Sequence, residues 1–181
     1  MQLMNNEKRF GSLSKLLHWT IFVLYVIQYF LVYRREYFPK DSPEKLQYIL
    51  LHKSFGVCVL ALGLFMLMWR HVGTRPSLPP MPKIQVILAK IMHILLYLSM
   101  LVMPISGICM SMLSGRPVSV FGWFELPMLL AKNEALGGIF YKTHVFSSYA
   151  VIGLVAGHTL AALYHHFVNK DDVLKKMTCG V

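Results

Sequence analysis

The sequence predicts an all-α membrane protein in which four transmembrane helices form one bundle. Hydrophobic residues make up 56% of the 181 residues and the mean hydropathy is +0.53, which is too apolar for an ordinary soluble domain. Four apolar runs are long enough to cross a bilayer, at roughly residues 15–37, 47–69, 86–113 and 142–168. Because the runs are continuously apolar, helices are favoured over a β-barrel. We therefore expect residues 1–181 to form a single integral-membrane domain.

The charged residues and cysteines exclude several other classes of protein. The net charge of +10 does not indicate nucleic-acid binding, because the basic residues flank the apolar runs and form no stripe. No cleavable signal peptide is expected, since the first run is too long and lacks a small-residue cleavage site. The cysteines show no zinc spacing, disulfide framework or C-x-x-C-H motif for covalent haem. We interpret Cys58 and Cys109 as small apolar fillers and Cys179 as a tail residue.

The first two helices each carry one histidine near the point where they enter the membrane. His18 follows a basic N-terminal tail, and a cluster towards the far end of the first helix is expected to form an interfacial aromatic belt. That cluster contains Tyr25, Tyr29, Tyr33, Tyr37 and Phe38. His52 lies in the opening turns of the second helix, with Gly56 one turn later. This glycine is expected to admit either a flat ring or a closely packed helix.

The second half of the chain follows a basic, proline-rich connection that includes His71, which we expect at the interface or in solvent. The third helix carries His93 near its start and is expected to bend near Pro104 and Gly107. An amphipathic patch at 118–126 is predicted to be a short structure on the membrane surface. The fourth helix ends in a short charged tail.

The lysines and arginines predict the orientation of the bundle. An even number of spans places both termini on one side, and ten of the 18 basic residues lie on that side. By the positive-inside rule both termini are expected in the cytoplasm.

Four histidines form two pairs at matching depths. His144 and His158 are fourteen residues apart, close to four helical turns, so they lie on one face about 21 Å apart along the axis. His18 starts in the cytoplasmic half and His52 in the outer half. The predicted pairs are therefore His18 with His158 and His52 with His144. Ionisable side chains at membrane depth rarely face lipid, so each pair should face the bundle interior.

Two imidazoles facing each other in a dry bundle indicate a haem, which leaves two axial positions for histidine. Zinc would need three or four protein ligands at each depth, and the apolar runs offer almost no carboxylates. The alternative is that these histidines are hydrogen-bond partners between helices. His93 is either a partner of a haem propionate or a quinone, or an interfacial residue. His165 and His166 are expected at the interface.

Several motifs resemble the bacterial cytochrome b(561) family of di-haem, four-helix membrane cytochromes. They are the S-x-x-L-H-W pattern ending in His18 and Trp19, the L-H-K-S-x-G of the second helix, the His144 to His158 spacing, and the A-L-Y-H-H-F-V-N-K-D-D-V-L-K-K-M ending. The resemblance covers nearly the whole chain. It implies two haem b groups held through axial iron by His18, His52, His144 and His158, a bacterial inner-membrane location, and electron exchange with quinone.

Three functions remain open at this point. The first is a quinone-linked cytochrome that acts as a superoxide:quinone oxidoreductase, with the basic outer loops attracting the superoxide anion. The second is an electron-carrying membrane anchor for a periplasmic redox protein. The third, from another class, is a small transporter or assembly factor without a cofactor.

Overall fold

The computed structural model describes residues 2–178 and contains four long helices. The helices are α1 (Ser12–Arg35), α2 (Pro43–Trp69), α3 (Lys83–Leu113) and α4 (Glu134–Tyr164), and α4 continues into a π-helical turn, His165–Asn169. All four are long and apolar enough to cross a membrane. The predicted four-helix membrane bundle is confirmed. Cys179 lies outside the described residues.

The fourth helix begins earlier than the sequence predicts. It starts at Glu134, whereas the apolar run that we used as its boundary starts at residue 142. The Oδ1 atom of Asn133 accepts a hydrogen bond from the backbone N–H of Leu136 at 3.0 Å and so caps the first turn. This local cap stabilises a helical start ahead of Lys142, in a segment whose consecutive glycines, Gly137 and Gly138, do not favour a helix by themselves.

The helices pack in chain order, and a gap separates the last helix from the first two. α1 packs on α2, α2 on α3 and α3 on α4. Across the described residues, no Cα atom of α4 lies within 8 Å of a Cα atom of α1 or α2. In the most apolar stretch of the fourth span, 6% of the residues are buried inside the protein, compared with 17% in α1. A gap therefore separates the backbone of α4 from the backbones of α1 and α2, and side chains reach across it.

Two tyrosines expected in an interfacial belt instead point into the bundle. The hydroxyl of Tyr29 donates to the backbone carbonyl of Ser148 at 2.6 Å, so that it joins α1 to α4 across the gap. The Tyr25 hydroxyl lies 3.5 Å from Ser99 Oγ of α3. Tyr33 and Tyr37 are exposed and hydrogen-bonded to each other, as a belt would be.

A short β-hairpin covers the end of the bundle that we call the hairpin end. Its strands β1 (Ser119–Val120) and β2 (Phe124–Glu125) are antiparallel. Val118 and Val120 are buried, and the backbone N–H of Phe121 donates to Ser54 Oγ of α2 at 2.7 Å. The patch at 118–126 is thus anchored on the helices and does not lie only on the membrane surface.

The opposite end, which we call the terminal end, is held together by both termini. The backbone N–H of Ser77, in the connection between α2 and α3, donates to the carbonyl of Glu7 at 2.9 Å. Lys176 Nζ donates to the Ser77 carbonyl at 2.7 Å. Trp19 Nε1 donates to the Met177 carbonyl at 3.0 Å. The N-terminal tail, this connection and the C-terminal segment therefore form one layer.

Candidate functional site

Both predicted histidine pairs come together across the gap beside α4. The ring centroids of His52 and His144 are 6.1 Å apart in the half of the bundle near the hairpin end, which we call the outer site. The ring centroids of His18 and His158 are also 6.1 Å apart, nearer the terminal end, which we call the inner site. The ring partners in the folded chain are therefore the ones that the depths of the histidines predict.

The ring separation is suited to an ion held between two imidazoles. Two metal–imidazole bonds of about 2 Å each, added to the two ring radii, span about 6 Å. Direct hydrogen bonding between two rings would bring them closer, because nitrogen atoms would then lie about 3 Å apart. The Cα atoms of α4 stay more than 8 Å from those of α1 and α2, and each pair lies across that gap, where a planar group would sit between the rings. The described residues thus fit a haem at each site.

The two sites are separated along α4 by a buried valine. Val151 lies seven residues after His144 and seven before His158, and seven residues are close to two helical turns. It is therefore on the histidine face of α4, and only 1% of its surface is exposed. Val151 could not be recognised from the sequence, because a valine in an apolar run carries no functional signal.

The ring of His144 is held by residues of α3. Its Nδ1 atom lies 2.9 Å from the Met103 carbonyl oxygen and 3.2 Å from Ser106 Oγ. A carbonyl oxygen can only accept, so the proton is on Nδ1 and the Nε2 atom carries the free lone pair. This is the usual arrangement of a histidine that ligates a metal through Nε2.

The surroundings of His52 come from α1. Gln28 Nε2 donates to the backbone carbonyl of His52 at 3.0 Å. A Cβ atom at Gly56 would lie 3.4 Å from the same amide nitrogen, which is an ordinary van der Waals contact, so Gln28 packs beside this glycine without requiring it. The Nδ1 atom of His52 is buried and has no hydrogen-bond partner among residues 2–178. A bound group or water is needed to satisfy such an atom.

His93 joins the inner site, whereas the remaining histidines do not join either pair. The ring centroids of His93 and His158 are 5.5 Å apart. His71 is exposed in the connection between α2 and α3. His165 Nδ1 lies 2.5 Å from Asp171 Oδ2, and His166 contacts the ring of Phe167. His165 and His166 thus belong to the end of the fourth span.

The charge of Asp171 is fixed by its neighbours outside the membrane. Burial raises the pKa of this carboxyl, but hydrogen bonds from His165 and from the backbone N–H of Val173, with the nearby charge of Lys176, lower it by more. The pKa of Asp171 therefore lies below its usual value. The carboxylate is ionised at neutral pH and ties the C-terminal segment to the end of the fourth span.

A metal ion held only by protein side chains does not fit these sites. Within the described part of the chain, no group of three or more histidine, cysteine, aspartate or glutamate side chains is placed to hold a metal ion. Each pair offers two ligands, and a tetrahedral zinc site needs three or four. A metal ion held by either pair would therefore need its other ligands from a prosthetic group.

Comparison with known proteins gives the family of this chain. The family described as prokaryotic cytochrome b561 matches residues 9–180. The chain belongs to this family. It is 33% identical to cytochrome b561 homolog 2 of Escherichia coli K12, over 98% of this chain and 95% of that protein. It is 33% identical to cytochrome b561 homolog 1 of the same strain, over 93% and 96%. It is 29% identical to a protein named probable superoxide oxidase CybB in Yersinia pestis, over 94% and 96%.

Membership of the cytochrome b561 family confirms the resemblance and the class of function. The protein is a multi-pass membrane protein that transfers electrons, and its family binds b-type haem. The alternative of a transporter or assembly factor without a cofactor is therefore not supported. The residues of α3 around His144 and the valine between the sites are the parts of the site that sequence reasoning missed.

Proposed function

We propose that this cytochrome b561 holds two haem b groups and transfers electrons from superoxide to a quinone. In this proposal His52 and His144 hold the haem of the outer site, and His18 and His158 hold that of the inner site. The observation that carries the proposal is the presence of two histidine pairs with the same 6.1 Å ring separation at two depths.

The ligand set favours electron transfer over chemistry at the metal. Bound haem supplies the reversible one-electron oxidation and reduction of iron. If two histidines hold each haem, its iron would have no ligand position left for a substrate, so donor and acceptor would exchange electrons with the protein without binding to iron. Two superoxide anions would be oxidised to O₂, while one quinone takes up two electrons and two protons. α4 contributes a ligand to each site and fixes the distance between them.

Superoxide as the donor is supported by a relative and by local charge. One relative is named a probable superoxide oxidase. Lys53 follows His52 directly, and its Nζ atom donates to the carbonyl of Pro117 at 2.9 Å, beside Arg116. Cations near the outer site attract a small anion. Five of the eight acidic residues also lie at the hairpin end and offset part of its positive charge. The attraction of superoxide is therefore confined to the surroundings of Lys53 and Arg116.

The proposed location is the bacterial inner membrane with both termini in the cytoplasm. The terminal end carries ten of the 18 lysines and arginines, which agrees with the positive-inside rule. The hairpin end would then face the periplasm, where superoxide is encountered.

A second candidate is an electron-carrying anchor for a periplasmic redox protein. It is favoured by the exposed apolar side chains at the hairpin end, where Trp123 is 81% and Leu129 78% exposed. Such an anchor would show little activity alone and would co-purify with its partner.

The experiment is superoxide-driven quinone reduction by the purified holoprotein. Superoxide is generated enzymatically, and reduction of ubiquinone-1 is followed with and without superoxide dismutase. We expect quinol formation that dismutase abolishes. Replacement of Lys53 and Arg116 by Gln should lower the rate several-fold at low salt and weaken its dependence on ionic strength. The anchor function is supported instead if the haem-loaded protein reduces no quinone without a partner.

A further inference from the structure

We propose that Met103, Ser106 and Gly107 of α3 are positioning residues that set the midpoint potential of the outer haem. They act by holding the imidazole of His144 in one orientation and one tautomer. The inference rests on the proposed ligation by His52 and His144. It assigns a role to a helix that supplies none of the four ligands.

The first observation is the hydrogen bonding of the His144 ring. Its Nδ1–H donates to the Met103 carbonyl oxygen at 2.9 Å, with Ser106 Oγ at 3.2 Å. The Ser106 hydroxyl itself donates to the same carbonyl at 2.9 Å. Ser106 is 2% exposed, so water does not compete freely for these atoms. One backbone carbonyl thus accepts from both the histidine and the serine.

The second observation is the close approach of the ring to Gly107. A Cβ atom at this position would lie 3.0 Å from Cε1 and 3.2 Å from Nδ1 of His144. Contacts of this length require a neighbouring atom to move. The ring would have to move away from α3, and this movement would lengthen its bond to Met103. The absence of a side chain at Gly107 therefore allows the His144 ring to lie close enough to α3 to donate to the Met103 carbonyl.

This arrangement distinguishes His144 from the other three proposed ligands. Nδ1 of His52 is buried without a partner, and the rings of His18 and His158 make no hydrogen bond within residues 2–178. A hydrogen bond from the second ring nitrogen makes a ligating imidazole more basic. A more basic ligand stabilises the oxidised iron and lowers the potential. The effect should fall on the outer site alone.

Substitutions of Gly107 and Ser106 are predicted to shift the midpoint potential of the outer haem in opposite directions. In the variant Gly107→Ala, the new methyl group pushes the ring from the Met103 carbonyl, so the potential of the outer haem should rise. In Ser106→Ala, the carbonyl loses a competing donor, so its bond to His144 strengthens and the potential should fall. The shorter bond to the carbonyl outweighs the lost contact with Ser106 Oγ.

The test is a spectroelectrochemical titration of the purified holoproteins, with electron paramagnetic resonance of the oxidised forms. We expect one of two resolved potentials to rise in Gly107→Ala and to fall in Ser106→Ala, while the other stays constant. Gly153→Ala is the matched glycine control, because an added Cβ there meets no atom within 4 Å. Ser99→Ala is the serine control, since this buried serine of α3 bonds to the Leu96 carbonyl.

Unchanged potentials in both variants, shifts of the same sign, or equal shifts of both haems would overturn the inference. If Gly107→Ala fails to retain haem, the sign of the shift in Ser106→Ala decides. The ligation itself is tested separately with His144→Ala. If that variant keeps both haems, the proposed function is wrong at the outer site, whatever the other variants show.

Discussion

The contacts of each histidine side chain depend on the residues that lie opposite it in the bundle. His18, His52, His144 and His158 face one another across the gap beside α4. His165 instead bonds to Asp171, which lies six residues later in the chain, beyond the π-helical turn that follows α4. The spacing of the histidines along the sequence predicts which of them share a helix face. The Met103 carbonyl could not be predicted, because a backbone atom has no signature in the sequence.

At the residue scale, the C-terminal segment should detach in acid. The pKa of Asp171 is lowered in the folded protein. A lowered carboxyl pKa stabilises the docked segment at pH values above the ordinary carboxyl pKa of about 3.9, and this stabilisation is lost as the pH falls through the lowered value. Fluorescence of Trp19, which donates to the Met177 carbonyl, should report the release.

The variants Asp171→Asn and Asp172→Asn form the matched pair for this measurement. Asp171→Asn should remove the acid transition, because the titrating group is gone. Asp172→Asn should keep it, since Asp172 is exposed and pairs only with Lys175 at 3.6 Å. An identical transition in Asp171→Asn and the wild type would show that another group is responsible.

At the scale of elements, the apolar runs predict the helices, whereas the hairpin is held by contacts with α2, among them a hydrogen bond to one buried hydroxyl. Ser54 is completely buried; its Oγ atom accepts from the Phe121 backbone N–H and donates to the Leu50 carbonyl at 2.8 Å. Phe121 has a positive φ of 53°, which is uncommon for a residue with a side chain. The hairpin was not predictable as such, because its pairing covers only two residues per strand.

Removing the Ser54 hydroxyl should loosen the hairpin. In Ser54→Ala the backbone N–H of Phe121, which donates to the fully buried Ser54 Oγ, loses this acceptor, and a hydrogen bond left unmade in this way costs about 1–3 kcal/mol. We expect faster hydrogen exchange over residues 118–126 and a lower Tm for the holoprotein. Ser114→Ala is the control, since the hydroxyl of that exposed serine, at the end of α3, bonds within residues 2–178 to the Met110 carbonyl and to no other atom. Equal exchange rates in the two variants would contradict this role of Ser54.

At the scale of the whole molecule, α4 is held against α3 and kept apart from α1 and α2. The sequence predicts the four spans and the depth of each histidine, because apolar length and helical spacing are local properties. The gap is a property of packing and could not be read from one chain segment. It explains why α4 is so little buried by protein, since one of its faces is available for the proposed prosthetic groups and others face lipid.

The central claim, that the paired histidines hold two haems, is tested most directly by the haem content of the purified protein. We expect two haem b groups per chain in the wild type and one in each of the single variants His144→Ala and His158→Ala. The exposed His71 provides the matched control, and His71→Ala should retain both. A wild-type protein with one haem, or variants that lose none, would contradict the claim.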